Sequence, residues 1–264
     1  MNFQSTNKHI PLLEDYYNHF DEEKRLDKRH GYIEFYTNMS YIEKYLKPNS
    51  SILDVGAGTG KYAIPLFLKG HNVTAIELME KHVKIIKNKN KDINAYQGNA
   101  LNLNKEKNNS YDMVILFGPM YHLLKEEERI IALNEAKRVV KDDGVILISY
   151  CGNEYALITY GFKKNMIKKC LEDKLIDEDF HSIPGENDLY TYLRLEDIDR
   201  LNEKCGLKRV EIISSDGPAD YLRTELNKMD QETYDLFLQY HLKTCFRKEL
   251  IGASAHILDI VKKK

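Results

Sequence analysis

The sequence of 264 residues contains no tryptophan, only four cysteines and six prolines. Cys151, Cys170, Cys205 and Cys245 are far apart and form no C-x-x-C pair, which argues against a disulfide framework and against a zinc site. No segment approaches about 18 consecutive apolar residues, and the N-terminus lacks a basic stretch followed by a long apolar one. We therefore expect reduced thiols in a soluble, cytoplasmic protein.

An excess of charge of either sign is also missing. The 39 Lys and Arg residues nearly balance the 41 Asp and Glu residues, so the formal net charge is -2. A chain of this kind has no overall field that attracts it to nucleic acid or to anionic lipid, although a local basic patch stays open. We predict neither a nucleic acid nor a membrane as partner, and the sequence does not indicate an oligomeric state.

What the sequence does contain, from residue 51 onward, is an alternation of short apolar runs with helical stretches. The runs have the composition of strands buried on both faces. Strands are predicted at 51–55, 72–76, 93–97, 113–117, 145–150, 208–213 and 253–261, with helices at 61–69, 81–89, 126–140 and 195–205 and a turn at 142–144. This order predicts an α/β fold with a Rossmann-like, doubly wound, mostly parallel seven-stranded sheet.

Two stretches interrupt the alternation, and a third precedes it. Residues 1–47 are polar, tyrosine-rich and helical in pattern, and we predict that they form an N-terminal helical lid. Residues 48–264 form the main domain. Segments 151–194 and 216–250 are predicted insertions on the acceptor side of that domain, with helices at 154–175 and 221–250.

The segment GAGTG at 56–60 lies between the first strand and a helix, where open α/β sheets bind ligands. The segment does not match the pattern of a Walker phosphate loop, because Val55 is at the position of the required first glycine and Tyr62 is where Ser or Thr would bind magnesium. The dinucleotide fingerprint would place Gly or Ala at the position of Lys61. A pyrophosphate ligand is therefore disfavoured, though not eliminated.

Two carboxylates narrow the choice of ligand. Asp54, just before the loop, would repel a phosphate but could order an amine or another cation. Glu77 ends the second strand roughly 20 residues after the loop, where an acidic side chain accepts hydrogen bonds from ribose hydroxyls. The residues alone thus point to a nucleoside with a cationic tail.

Five ordered motifs resemble the class I S-adenosylmethionine-dependent methyltransferases of the UbiE-like, small-molecule type. The motifs are ILDVGAGTG at 52–60, Glu77, GNA at 98–100, YDMV at 111–114 and AKRVVKDDG at 136–144. The resemblance implies S-adenosyl-L-methionine as cofactor, with Glu77 on the ribose and Asn99 beside the adenine, although the family often has Asp at that position. The implied cofactor residues are Asp54, Gly56, Ala57, Gly58, Gly60, Glu77, Leu78, Asn99, Ala100 and Phe117.

The segment FGPMYH at 117–122 ends the fourth strand at the same edge of the sheet, which makes it the expected methyl-transfer face. His122 is the candidate general base, with Tyr121 beside it; a purely structural hydrogen bond or helix cap is the alternative for His122. The lack of a polar residue before Pro119 argues against a nucleobase amine as acceptor. The predicted acceptor pocket comprises Tyr17, Tyr32, Tyr36 and Tyr155.

These features predict an enzyme that transfers a methyl group from S-adenosylmethionine to an O, N or S atom of a small molecule. Transfer would be an in-line displacement from an activated sulfur, for which no metal is required. Two alternatives stay open: an RNA or protein methyltransferase, and a nucleoside-binding regulatory module without catalysis.

Overall fold

The computed structural model describes residues 9–264 and shows a seven-stranded sheet with the strand order β3-β2-β1-β4-β5-β7-β6. Strands β1 to β5 are parallel, whereas β7 runs antiparallel between β5 and β6. This is the α/β, Rossmann-like, mostly parallel sheet that the sequence predicts. The strands are β1 Ser51–Val55, β2 Asn72–Glu77, β3 Asn94–Gln97, β4 Tyr111–Leu116, β5 Val140–Cys151, β6 Leu207–Ser214 and β7 His256–Lys263.

Helices cover both faces of the sheet, because alternate residues of each buried strand point to opposite sides. On one face Leu53 and Val55 join a core with α6 and α9, and on the other Ile52 packs with α2, α3 and α4. The helices are α1 His9–His19, α2 Arg29–Tyr45, α3 Ala63–Leu68, α4 Glu80–Lys89, α5 Pro119–His122, α6 Glu126–Val139, α7 Asn153–Ala156, α8 Ile167–Glu172, α9 Leu195–Lys204, α10 Arg223–Leu226, α11 Gln231–Thr244 and α12 Lys248–Ile251.

Strand β5 differs from its prediction, because it begins at Val140 and includes the predicted turn at 142–144. Tyr111 pairs with Val140 and Met113 with Val145, so β5 accommodates three extra residues in a bulge opposite β4. A Cβ on Gly144 would lie 2.9 Å from the Asp112 carbonyl oxygen. The glycine therefore allows the two strands to stay close where an independent turn was expected.

The two long insertion helices are also wrong as predicted, because each is broken into shorter pieces. The first consists of α7, a π-helical turn at Leu157–Phe162, and α8, with Asn165 in a left-handed conformation at φ 57°. The second is divided into α10, α11 and α12, and Asp230 begins α11 by accepting a hydrogen bond from the Thr233 amide. These breaks position the insertions around the carboxyl ends of the strands.

The part of the N-terminal stretch that the structure describes contains α1, a short 3-10 turn at Glu22–Lys24, and α2. Whether this stretch acts as a lid stays a prediction. Within residues 9–264, no helix combines the length and the apolar character needed to cross a bilayer.

Candidate active site

The loop after β1 depends on its glycines. Gly56, Gly58 and Gly60 have φ values of 77°, 53° and 85°, a region that other residues rarely adopt. A Cβ on Gly56 would lie 2.6 Å from the Pro119 Cδ atom. The loop after β1 and the segment after β4 therefore approach each other so closely that only a glycine fits between them.

Glu77, at the end of β2, is anchored by backbone amides. Its Oε2 accepts from the Gly58 amide at 2.8 Å, and its Oε1 accepts from the Met79 amide at 2.9 Å. Each carboxylate oxygen retains lone pairs for a further donor. The side chain thus has the fixed position and the acceptor capacity that two ribose hydroxyls require.

Asp54 is only 1 % exposed, and its Oδ2 has no hydrogen-bond partner. Burial, with a smaller contribution from Glu77, raises the pKa of the Asp54 carboxyl to about 7. A buried carboxylate without a partner is costly, and a cationic ligand removes that cost. Asp54 therefore fits the ammonium and sulfonium charges of S-adenosylmethionine better than it fits a phosphate.

A first cavity opens where β1, β2 and β4 end, and both Asp54 and Glu77 line it. Of the predicted cofactor residues, Gly60 alone is outside the lining; a Cβ there would meet Ile64 and Ile86 instead. Asn99 lines the cavity with an Oδ1 that accepts from the Leu101 amide at 2.9 Å. Helix α1 contributes part of the wall, which includes Leu13 and Tyr17.

His122 lies at this cavity, but both of its ring nitrogens are engaged. Nδ1 lies 2.8 Å from the Leu189 carbonyl oxygen, which can only accept, so Nδ1 is the protonated nitrogen. Nε2 then accepts from the Tyr17 hydroxyl at 2.8 Å. Burial lowers the pKa of His122 to about 4, so the ring is neutral near pH 7. This geometry favours the structural alternative over the general base.

A second cavity of about 680 Å³ adjoins the first, and the two share Tyr17, Glu22, Arg25 and Tyr121 in their linings. Of the residues predicted for the acceptor, Tyr17 and Tyr155 line this second cavity. Tyr32 and Tyr36 line neither cavity; each is 38 % exposed on α2. Their spacing matched a helix face, and that spacing alone does not distinguish the exposed side from the side that faces a ligand.

The second cavity also contains a cluster of buried and partly buried charged residues that the sequence does not indicate. The Arg25 guanidinium donates to both Glu34 oxygens, at 2.8 and 3.3 Å, and to Glu22 at 3.1 Å. His256 Nδ1 lies 2.7 Å from Asp216 Oδ2 and 3.6 Å from Glu34 Oε2. In the sequence these residues lie in ordinary charged stretches of distant segments, and no local pattern indicates that they are buried.

Glu34, Asp216 and His256 also form a group compact enough to hold a metal ion. Arg25 already engages both oxygens of Glu34, while the Ser254 hydroxyl and the His256 amide donate to Asp216 Oδ1. We interpret the group as an ion-pair network.

Residues 52–144 match a family described as a methyltransferase domain. A ribosomal protein L11 methyltransferase of Staphylococcus carnosus is 35 % identical over 115 residues, which is 41 % of this chain and 36 % of that protein. A ubiquinone biosynthesis O-methyltransferase of Rickettsia prowazekii is 34 % identical over 121 residues, 42 % of this chain and 46 % of that protein. The chain thus spans less than half the length of these curated relatives.

Solved structures share the fold over nearly the whole chain. A methyltransferase of Thermotoga maritima, described as S-adenosylmethionine-dependent and as a possible histamine N-methyltransferase, has a TM-score of 0.59 at 16 % identity and covers 97 % of this chain and 100 % of its own. An S-adenosylmethionine-dependent methyltransferase of Methanosarcina mazei has a TM-score of 0.58 at 16 % identity and covers 84 % and 96 %.

The sequence motifs, the cavity at the strand ends and the family match agree with one another. The matched region contains the glycine loop, Glu77, Asn99 and Phe117. Residues 52–144 thus match a methyltransferase domain, and the chain has the fold of S-adenosylmethionine-dependent methyltransferases, which implies S-adenosyl-L-methionine as its cofactor.

Proposed function

We propose that the protein methylates a small molecule bound in the second cavity, using S-adenosylmethionine bound in the first. The observation that carries this proposal is the wall shared by the two cavities, which Tyr17, Glu22, Arg25 and Tyr121 form. Because the two cavities adjoin at these side chains, a methyl donor in one and an acceptor in the other would approach each other between them, so that the cavities supply proximity and alignment.

The form of the second cavity supports a small acceptor. Its volume of about 680 Å³ lies in the range of small-molecule sites, roughly 300–1,000 Å³. Its lining comes from α1, α2, β5, both insertions and β7, so that protein surrounds it from several directions. The lining presents no net positive patch for RNA, because it contains the carboxylates of Asp21, Glu22, Glu34, Asp216 and Asp220 beside the cations of Lys24, Arg25, Lys28 and Arg223.

When bound, the cofactor would supply an activated methyl group: the acceptor lone pair would form the new bond to the methyl carbon, the carbon–sulfur pair would remain on sulfur, and the acceptor would lose a proton. The chain's own residues bind and orient. We assign the ribose to Glu77, the positive charge to Asp54, and water exclusion to α1. Burial raises the pKa of Tyr121 well above its usual value, so its phenol stays protonated and can donate to an acceptor.

Two other functions compete with this proposal. The relatives named as ribosomal protein L11 methyltransferases favour a protein acceptor, and an intact cofactor site is equally compatible with a regulatory module. A cavity of this volume that several elements line is typical of small-molecule sites. It is therefore the feature that favours the small-molecule enzyme.

A labelled-methyl screen tests the proposal. The protein is incubated with S-adenosylmethionine carrying a labelled methyl group and, separately, with low-mass metabolites, total RNA or ribosomal proteins. We expect label in the low-mass fraction, loss of that label in Glu77→Ala, and retention in Glu80→Ala, which removes an exposed carboxylate three positions away. Label in a macromolecule alone would make this a polymer methyltransferase, and label in no pool would favour the regulatory module.

A further inference from the structure

One histidine in the second cavity has the environment of a functional group. His256, at the start of β7, lines the cavity, and its Nδ1 faces Asp216, which follows β6. Asp216 is itself fixed, because its Oδ1 accepts from the Ser254 hydroxyl at 2.6 Å and from the His256 amide at 3.1 Å. An imidazole oriented by a hydrogen-bonded carboxylate is a recurring arrangement for binding or moving a proton.

The ring nitrogen opposite Asp216 is the one left for a ligand. Nδ1 is occupied by Asp216 and approached by Glu34, so Nε2 is the nitrogen at which a ligand would bind. The Cys151 side chain also hydrogen-bonds the imidazole, but a thiol is a weak partner that an oxygen ligand would displace. The remaining neighbours are Cys151, which pairs with His256 across β5 and β7, and the Tyr121 ring, 6.4 Å away. Cys151, like His256, lines the second cavity.

Three neighbouring tyrosine rings lie on the side of this histidine where Tyr121 is. The Tyr121 and Tyr190 rings lie 5.8 Å apart with an interplanar angle of 35°, and the Tyr190 and Tyr192 rings lie 6.5 Å apart at the same angle. All three line the second cavity. Aromatic faces of this kind favour a flat, aromatic ligand through offset stacking.

We propose that the acceptor is a phenol, and that His256, held by Asp216, binds it as the phenolate through an Nε2–H hydrogen bond. This proposal rests on the proposed function, because it names the substrate class of the same cavity. The oxygen that His256 holds is the nucleophile, and the faces of the tilted tyrosine rings orient the ring that carries it.

The charges around His256 agree with an acidic acceptor. Burial alone would lower the pKa of His256, but the Glu34 and Asp216 carboxylates raise it well above the usual value. The groups that face the ring are Glu34 from α2, Asp216 after β6, Cys151 on β5 and Tyr121 on α5, and Arg25 neutralises part of the Glu34 charge. An ammonium acceptor would meet an imidazolium here, whereas a phenolate gains a charge-assisted hydrogen bond.

Protons balance in this scheme. A phenol that binds to protonated His256 gives a phenolate–imidazolium pair and releases one proton to solvent. Methylation then yields a neutral aryl ether and consumes the negative charge of the oxygen. The His256 imidazolium then no longer has a phenolate to pair with, which favours release of the ether product.

The test uses 4-nitrophenol, whose phenolate absorbs visible light, and the full chain saturated with S-adenosylhomocysteine. At a pH one unit below the pKa of the free phenol, binding should increase the phenolate band. The methyl ether 4-nitroanisole, which has no acidic hydroxyl, should bind at least about tenfold more weakly, the equivalent of one pKa unit. Binding of the un-ionised phenol, equal binding of the ether, or no binding of either compound would overturn the proposal.

Variants then assign the effect to His256. His256→Gln should lose the phenolate band and about tenfold in nitrophenol affinity, and Asp216→Asn should reduce both by less. His71→Gln, in the turn before β2 at the opposite edge of the sheet, should behave as wild type. An unchanged band in His256→Gln would overturn the assignment. Binding of S-adenosylhomocysteine by each variant, measured by calorimetry, shows that the variant is folded. If the wild type does not bind this nucleoside, the result contradicts the proposed function and not the role of His256 alone.

Discussion

Asp54 shows how one side chain connects the fold to the ligand. Its pKa of about 7, raised mainly by burial, exceeds the ordinary value of 3.8. The cofactor-free folded state therefore holds a proton that the unfolded chain has already lost. Between these two pKa values, from about pH 4 to about pH 7, the free energy of unfolding should therefore fall by about 1.4 kcal/mol for each unit by which the pH rises.

The same group should make cofactor binding depend on pH. A cationic ligand favours the ionised carboxylate, so affinity for S-adenosylmethionine should rise with pH up to about 7 and then level off. Below pH 7, binding should release a proton, which calorimetry in buffers of different ionisation enthalpy measures. Asp54→Asn should abolish this dependence and, in neutral solution, weaken binding about tenfold or more. The same pH dependence in Asp54→Asn would show that another group is responsible.

His122 gives a second test at a single side chain. A general base contributes about 10²- to 10⁴-fold to a rate, whereas a residue that only orients Tyr17 contributes less. We expect His122→Gln to reduce methyl transfer in the screen by less than about tenfold, without a change in the pH profile between about 6 and 8, because a group with a pKa of about 4 does not titrate there. A loss of a hundredfold or more would restore His122 as the base.

The sequence predicts the lining of the first cavity better than the lining of the second, and the reason is physical. Asp54, the glycine loop and Glu77 lie in one short segment, where the ends of two adjacent strands determine their positions. The second cavity is built from tertiary contacts, and Tyr32 and Tyr190 look alike in the sequence. Only packing places one on an exposed helix face and the other beside Tyr121.

Helix α1 is the element whose role is easiest to separate from the rest of the fold. Leu13 is buried and lines the first cavity, while Tyr17 donates its hydroxyl hydrogen to His122 and its carbonyl accepts from Lys81. These contacts fix α1 against α4 and α5 over the place assigned to the cofactor. Since α1 adds no strand to the sheet, its detachment should cost little global stability.

Leu13→Ala should therefore act on the ligand more than on the fold. Loss of a buried leucine typically costs about 2–5 kcal/mol, and here we expect that loss to open α1 locally. Dissociation of S-adenosylhomocysteine, measured by stopped flow, should accelerate at least about tenfold. The melting temperature without ligand should change little. Leu12→Ala is the matched control, because Leu12 lies next to it but outside the cavity lining. Equal rates for both variants would contradict a lid.

The elements themselves are largely predictable, with two informative exceptions. Buried strands and the helices between them follow from composition and period, and six of the seven strands begin within three residues of their predicted starts. The bulge in β5 depends on pairing with β4, and the first insertion helix is broken by the π-helical turn and by the left-handed backbone of Asn165. Neither cause is visible in a local stretch of sequence.

The molecule as a whole assembles its two cavities from distant segments at one edge of the sheet. Glu34 comes from α2, Asp216 from the loop after β6 and His256 from β7, yet they form one network beside the wall that both cavities share. The sequence predicts that these elements meet at the strand ends, since parallel strands present their carboxyl ends on the same side. It does not predict which side chains face inward.

Glu77 is the residue to which we assign binding of the adenosyl cofactor in the first cavity. Isothermal titration calorimetry with S-adenosylhomocysteine on the wild type, Glu77→Ala and Glu80→Ala measures this binding. We expect binding by the wild type and by Glu80→Ala, and a loss of about 3 kcal/mol, or roughly a hundredfold in affinity, in Glu77→Ala, because two charge-assisted hydrogen bonds are removed. No binding by the wild type, or equal affinity in Glu77→Ala, would contradict the account.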